Sequence, residues 1–172
     1  MRLAGRPLRP NRRLLLGSLL AASLAGCGFQ LRRAPEMRFR TVMLRGFAER
    51  SPLAEELRAN IDASSTTRVV ETLGQADVVL EALTEARERS VVASSGAGQV
   101  RELQLRLRFS FQLSTPSGRV LLPPRQLLLS RDMSYSETIA LAKEQEEAAL
   151  FRAMQSDIVA QVMRRLASVN DL

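Results

Sequence analysis

The chain of 172 residues holds one cysteine, Cys27, one lysine, Lys143, and no histidine. Without an imidazole, the commonest general base and metal ligand is missing. A Ser–Lys dyad is formally possible, but nothing in the sequence places a serine beside Lys143. Glu144, Glu146 and Glu147 follow it as a charged helix flank, not as paired acids in a cleft. No glycine-rich phosphate loop, G-x-S-x-G elbow or metal-spaced carboxylate set occurs. The residue types therefore speak against an enzyme, and no cofactor or metal is expected. What remains is the nucleophilic chemistry of one thiolate.

The surroundings of Cys27 say what that chemistry is for. Residues 1–13 carry five arginines (Arg2, Arg6, Arg9, Arg12 and Arg13) and no acid, and "LLLGSLLAASLA" (14–25) is an apolar run. A charged start, a short apolar core and a small-residue exit describe a secretory signal peptide. The run is well short of the ~20 residues of a membrane-spanning helix. Its ending, Leu24-Ala25-Gly26-Cys27, resembles the lipobox of bacterial lipoproteins, in which the cysteine is alkylated by a diacylglycerol and becomes the first residue of the mature chain. A buried apolar cysteine is the bland alternative, but the one cysteine stands at the one position the motif requires. Several acyl chains on Cys27 would hold the protein stably on a membrane. Gly28, where an aspartate would favour retention at the inner membrane, points to the outer membrane and a periplasmic domain.

Removing residues 1–26 changes the electrostatics. The whole chain has 25 basic and 18 acidic residues, a net charge of +7. Five of the arginines leave with the signal, so the mature chain has 20 against 18, or +2. Nucleic-acid binding loses its main support. The remaining 146 residues suit one domain with one core, and no second cysteine is present for a disulfide. The expected organisation is a signal peptide over 1–26, a lipidated N-terminus and tether over 27–38, and a single domain over 39–169.

Periodicity supplies the elements. "RFRTVMLRGF" (38–47) reads as a first strand. In "RSPLAEELRANI" (50–61), Ser51 is a good N-cap, Pro52 suits the first helical position, and Leu53, Leu57 and Ile61 form one apolar stripe. "RVVETL" (68–73) and "ADVVLEALTEARE" (76–88) read as a second strand region broken by Gly74. In "ELQLRLRFSFQL" (102–113), Leu103, Leu105, Leu107, Phe109, Phe111 and Leu113 alternate with polar residues, which gives a strand with one apolar face. "TPSGR" (115–119) is turn chemistry. "VLLPPRQLLLSRDMSY" (120–135) returns as a strand in which Pro123 and Pro124 argue for an edge or a bulge. From 137 to 168 the period is helical, with Ile139, Ala142, Leu150, Ala153, Met154, Ile158, Val162, Leu166 and Val169 assigned to the core face. The expected fold class is α+β, a two-layer sandwich with an about four-stranded, mostly antiparallel sheet and two helices on one face.

"GCGFQLR" (26–32), "ALAKEQEEAALFRAM" (140–154) and "VMRRLAS" (162–168), within a "Y…ALAK…E…L…M…D…RRL" pattern from Tyr135 to Leu166, resemble the LptE family of lipopolysaccharide-assembly lipoproteins in Gram-negative bacteria. The element order agrees along essentially the whole mature chain. The resemblance implies partners: the LptD β-barrel, inside which LptE sits and whose assembly it helps, and lipopolysaccharide (LPS), which it binds during transfer to the cell surface. A barrel lumen is polar, so the strand face bearing Arg106 and Arg108 is the partner-facing candidate, although it could be a merely solvated face. For the lipid A phosphates, Lys143 matches the lysine of the family's "ALAK" stretch and Arg131 a basic position before the long helix. Either could instead pair with a nearby acid, Glu146 or Asp132. In the loop "SSGAGQ" (94–99) some relatives carry a basic residue that this chain lacks. The rival reading is an accessory lipoprotein of another envelope assembly machine, acting in barrel insertion or phospholipid transport.

Overall fold

A computed structural model describes residues 36–169. The signal segment, Cys27 and most of the tether lie outside the described residues. Seven main elements follow in order: β1 (Thr41–Arg45), α1 (Pro52–Asp62), β2 (Arg68–Val70), β3 (Val78–Ser94), β4 (Val100–Ser114), β5 (Val120–Ser134) and α2 (Ala140–Ala167). The architecture is α+β, and the sheet is five-stranded and mixed, in the order β2-β1-β3-β4-β5.

The long meander arises as the alternation predicts. β3, β4 and β5 pair antiparallel, with Leu107 opposite Arg87 and Leu129, and Phe109 opposite Glu85 and Leu127. Leu103, Leu105, Leu107, Phe109, Phe111 and Leu113 are all buried, whereas Gln104, Arg108, Ser110 and Gln112 are half-buried and Arg106 is exposed. β5 is an edge strand, and the register slips where Pro123 and Pro124 lie, between the pairs Phe111–Arg125 and Leu113–Leu122. A proline has no donor for the ladder, so both edge position and bulge accommodate the pair.

The first half departs from the expected four-stranded, mostly antiparallel sheet. β1 lies between β2 and β3 and runs parallel to both. What reads as one strand region around Gly74 is two strands on opposite sides of β1, joined through the 3-10 turn Leu73–Gln75. A side chain secures this arrangement. Asp77 Oδ2 accepts the backbone N–H groups of Arg40 and Thr41 at 2.9 and 3.0 Å, clamping the start of β1 to the start of β3. Partial burial pushes this carboxyl's pKa up, but those N–H groups, the Thr41 hydroxyl and the Arg40 charge outweigh it and hold it below the ordinary value.

α1 begins as its residues direct. The Ser51 hydroxyl accepts the N–H of Ala54 at 3.1 Å, Pro52 opens the helix, and Leu53, Leu57 and Ile61 are buried. α2, roughly 42 Å long at 1.5 Å per residue, buries Phe151, Met154, Ile158, Val159, Val162, Met163 and Leu166. These share one core with α1 and with the apolar face of the sheet, so both helices cover the same face. Three residues of the expected core stripe are not in it, and Phe151, Val159 and Met163, which it lacked, are. Ile139 and Ala142 are exposed because the helix reaches the core only near Leu150, and Ala153 is exposed too. At 100° per residue Ala153 points about 140° away from Ile158, so one face cannot hold both.

Candidate functional site

The uncovered face of the sheet is mostly polar, with Leu128 exposed opposite Arg108, and its side chains bond to one another along and across strands. Arg106 Nε donates to Gln104 Oε1 at 2.7 Å, and Gln104 Nε2 donates to Asp132 Oδ1 at 2.9 Å. Arg108 pairs with Glu88 at 2.9 Å. Glu81 accepts from Gln112 at 2.6 Å and from Arg45 at 2.9 Å. The Gln112 amide and then the Arg45 guanidinium hold the Glu81 carboxyl below its ordinary value. Several of the face's charged and amide side chains thus bond to one another, but two arginines keep free donors. The Arg108 Nε is buried without a partner, and the terminal nitrogens of the exposed Arg106 have none among the described residues.

The two expected LPS ligands are separated. The Lys143 Nζ, on a side chain only 12% exposed, donates to Ser134 Oγ at 3.0 Å and pairs with Glu146 at 2.8 Å. Arg131 reaches Asp157 at 3.5 Å rather than Asp132, and also donates to the Ser130 carbonyl. Glu146 and Asp157 are eleven residues apart on α2, about 16 Å of helix. The two cations therefore stand at different points along the β5–α2 seam, each on its own acid.

Ser134 beside Lys143 is a juxtaposition the sequence did not show, because it joins the end of β5 to the first turn of α2. It does not make a Ser–Lys dyad. Lys143 Nζ donates to the Ser134 hydroxyl and to Glu146, whereas a dyad needs the amine to accept the serine's proton. Among the described residues no group of three or more His, Cys, Asp or Glu could hold a metal ion, and no helix is long and apolar enough to cross a membrane.

Sequence reasoning also missed a junction of both helices with the sheet. Gln155, on the stripe's flank, is buried, donates to Glu56 at 2.7 Å and to the Pro52 carbonyl at 3.1 Å, and accepts from Arg87 at 2.8 Å. The Arg87 guanidinium also lies over the Phe151 ring, 5.6 Å from its centre. The signal was present in β3: after the extra residue Leu83, Glu85, Arg87 and Arg89 fall on the helix-covered face. An alternating reading without a bulge puts them on the other.

These features define a two-layer α+β domain with one open, polar, internally bonded sheet face. The chain belongs to the LptE family, whose sequence model, described as Lipopolysaccharide-assembly, matches residues 39–166. An uncharacterized lipoprotein B from Nitrosomonas europaea, solved by NMR, is 26% identical with a TM-score of 0.71, over 82% of this chain and 91% of that one. The rare lipoprotein B from Shewanella oneidensis is similar in fold at 22% identity and TM-score 0.63, over 75% of this chain and 95% of the other. A minor lipoprotein from Acinetobacter baumannii gives 22% and 0.63, over 77% and 94%. No curated protein sequence matches the chain.

Proposed function

We propose that the protein is an outer-membrane lipoprotein that plugs and helps assemble the LptD β-barrel and binds LPS during its transfer to the cell surface. The observation that carries this reading is membership of a lipopolysaccharide-assembly family across residues 39–166. Residues 1–26 serve as the export signal, and Cys27, acylated, heads the mature chain and anchors it from the periplasmic side. That the Nitrosomonas europaea neighbour, 26% identical, is a lipoprotein supports the anchor.

The open sheet face suits a plug. A porin-type lumen is lined by polar and charged groups, and a face carrying Arg106, Arg108, Gln104 and Asp132 offers donors and acceptors of both signs. Arg131 and Lys143 are the proposed LPS contacts. Each is now held by a carboxylate, and a lipid A phosphate competes with that carboxylate by offering more acceptor oxygens and more charge. The role is binding and assembly rather than catalysis, and needs no cofactor.

The test is affinity purification of the tagged full-length chain from detergent-solubilised outer membranes. Recovery of LptD as the main partner supports the reading. Recovery of a barrel-insertion or phospholipid-transport complex instead replaces it with the rival role.

A further inference from the structure

β3 has a strand on both sides only at its start. Val79–Glu81 lie between β1 and β4, but β1 ends at Arg45, and Gly46, at φ +80°, carries the chain away over β3. A Cβ at Gly46 would strike the carbonyl oxygen of Ala82. Beyond the bulge at Leu83, Thr84–Val91 pair with β4 in unbroken register, and no strand lies on their other side among the described residues. Those eight residues span roughly 26 Å. Such an edge presents main-chain N–H and C=O groups ready to pair with another strand.

The space beside this edge is shaped and charged. A groove of about 470 Å³ between β3 and α2 is lined by Arg87, Arg89, Glu144, Glu147, Phe151 and Arg152 among others. Arg89 is neutralised by Glu147 at 3.3 Å. Among the described residues Arg87 has only the neutral Gln155 amide and the Phe151 ring, and the exposed Arg152 has no ionic or hydrogen-bonding partner; against these two cations stands one lining acid without a partner, Glu144, so the groove's unpaired charge is net positive. On the opposite face of the same edge stands Glu88, opposite Arg106 and ion-paired with Arg108. The other long edge, β5, is less suited: Pro123 and Pro124 remove donors there, and its helix-side cation Arg131 is already on Asp157.

We propose that an extended polypeptide segment adds to Thr84–Val91 of β3 as a further strand, with acidic side chains at alternate positions reaching Arg87 and Arg152 in the groove. Main-chain bonds supply the affinity of such an addition and the alternate side chains its register. A slip of one residue would bring the acids over Glu88 and be repelled. The inference rests on the reading that the domain sits in the LptD barrel, and the segment belongs to that barrel's own chain.

The test compares amide hydrogen exchange of the full-length chain, alone and in the purified complex with LptD, together with Arg152→Glu and a charge control, Arg119→Glu in the β4–β5 turn. On complex formation the edge-facing amides of Thr84–Val91 are expected to slow, since β4 already holds the alternate ones. Arg152→Glu, whose side chain bonds to nothing in the described domain, is expected to weaken retention of LptD roughly threefold to tenfold and to restore exchange along β3, whereas Arg119→Glu leaves both unchanged. A recovered complex with unaltered exchange over Thr84–Val91, or equal losses in the two charge variants, overturns the inference and leaves the functional reading standing. Failure of the wild type to recover LptD overturns the functional reading, and the inference with it.

Discussion

Phe109→Ala tests the core where the strand alternation, the bulge and the helix cover all meet. Phe109 is fully buried at the centre of β4 and stacks between Phe47 at 5.8 Å and Phe111 at 5.5 Å. Truncating a buried phenylalanine costs about 3–5 kcal/mol in lost transfer energy and residual cavity, and the ring stacking places this site near about 4 kcal/mol. With about 2.1 cal/mol/K of unfolding entropy per residue, a domain covering 36–169 has about 0.28 kcal/mol/K in all. The melting point should then fall by about 14 °C. Arg108→Ala, one residue earlier on the open face, removes a partly exposed ion pair to Glu88. It should cost less than about 1 kcal/mol, or under about 4 °C. The assay is calorimetric melting of the soluble domain starting at residue 28, with Phe109→Leu as a milder arm if the alanine variant does not fold. Equal losses for Phe109→Ala and Arg108→Ala would refute the assignment of faces and with it the register of the meander.

Cys27→Ser should abolish lipidation, since a hydroxyl is a far poorer nucleophile than a thiolate; label from a radioactive fatty acid persisting in the variant would remove the lipobox assignment. Arg131→Ala/Lys143→Ala should retain less labelled LPS on the soluble domain than either single variant, and unchanged retention in a double variant shown to be folded by circular dichroism excludes both residues from the site. Asp77 has a depressed folded-state pKa, so the stability it contributes is present above the ordinary aspartate value of 3.8 and is lost as pH falls through the lower folded value. The gap in stability between wild type and Asp77→Asn, measured by urea denaturation, should accordingly narrow from pH 7 to pH 3; a gap independent of pH would mean that the carboxylate charge does not clamp β1.

Much of this protein is written locally. Alternation along 103–113 names the face of β4 that meets the helices, because each step of a strand reverses the side chain's direction and only one side reaches the core. Ser51 and Pro52 start α1 through bonds confined to one turn. The lipobox reading of Cys27 rests on its immediate neighbours alone, and the "ALAK" to "RRL" pattern carries the resemblance to the family. None of these requires contacts distant in sequence. Strand order does. β1 is held beside β3 by bonds from Arg40 and Thr41 to Asp77, some 36 residues away, and no local period encodes that choice. The bulge at Leu83 turns Glu85, Arg87 and Arg89 toward the helices, and burial of the polar Gln155 becomes tolerable only because α1 and β3 together satisfy its amide. The ion pair of Arg131 with Asp157, the bond of Lys143 to Ser134 and the open edge of β3 are likewise products of packing. Sequence periodicity reports which side of an element avoids water, whereas the partner across that side is selected by the joint geometry of the elements that close around it.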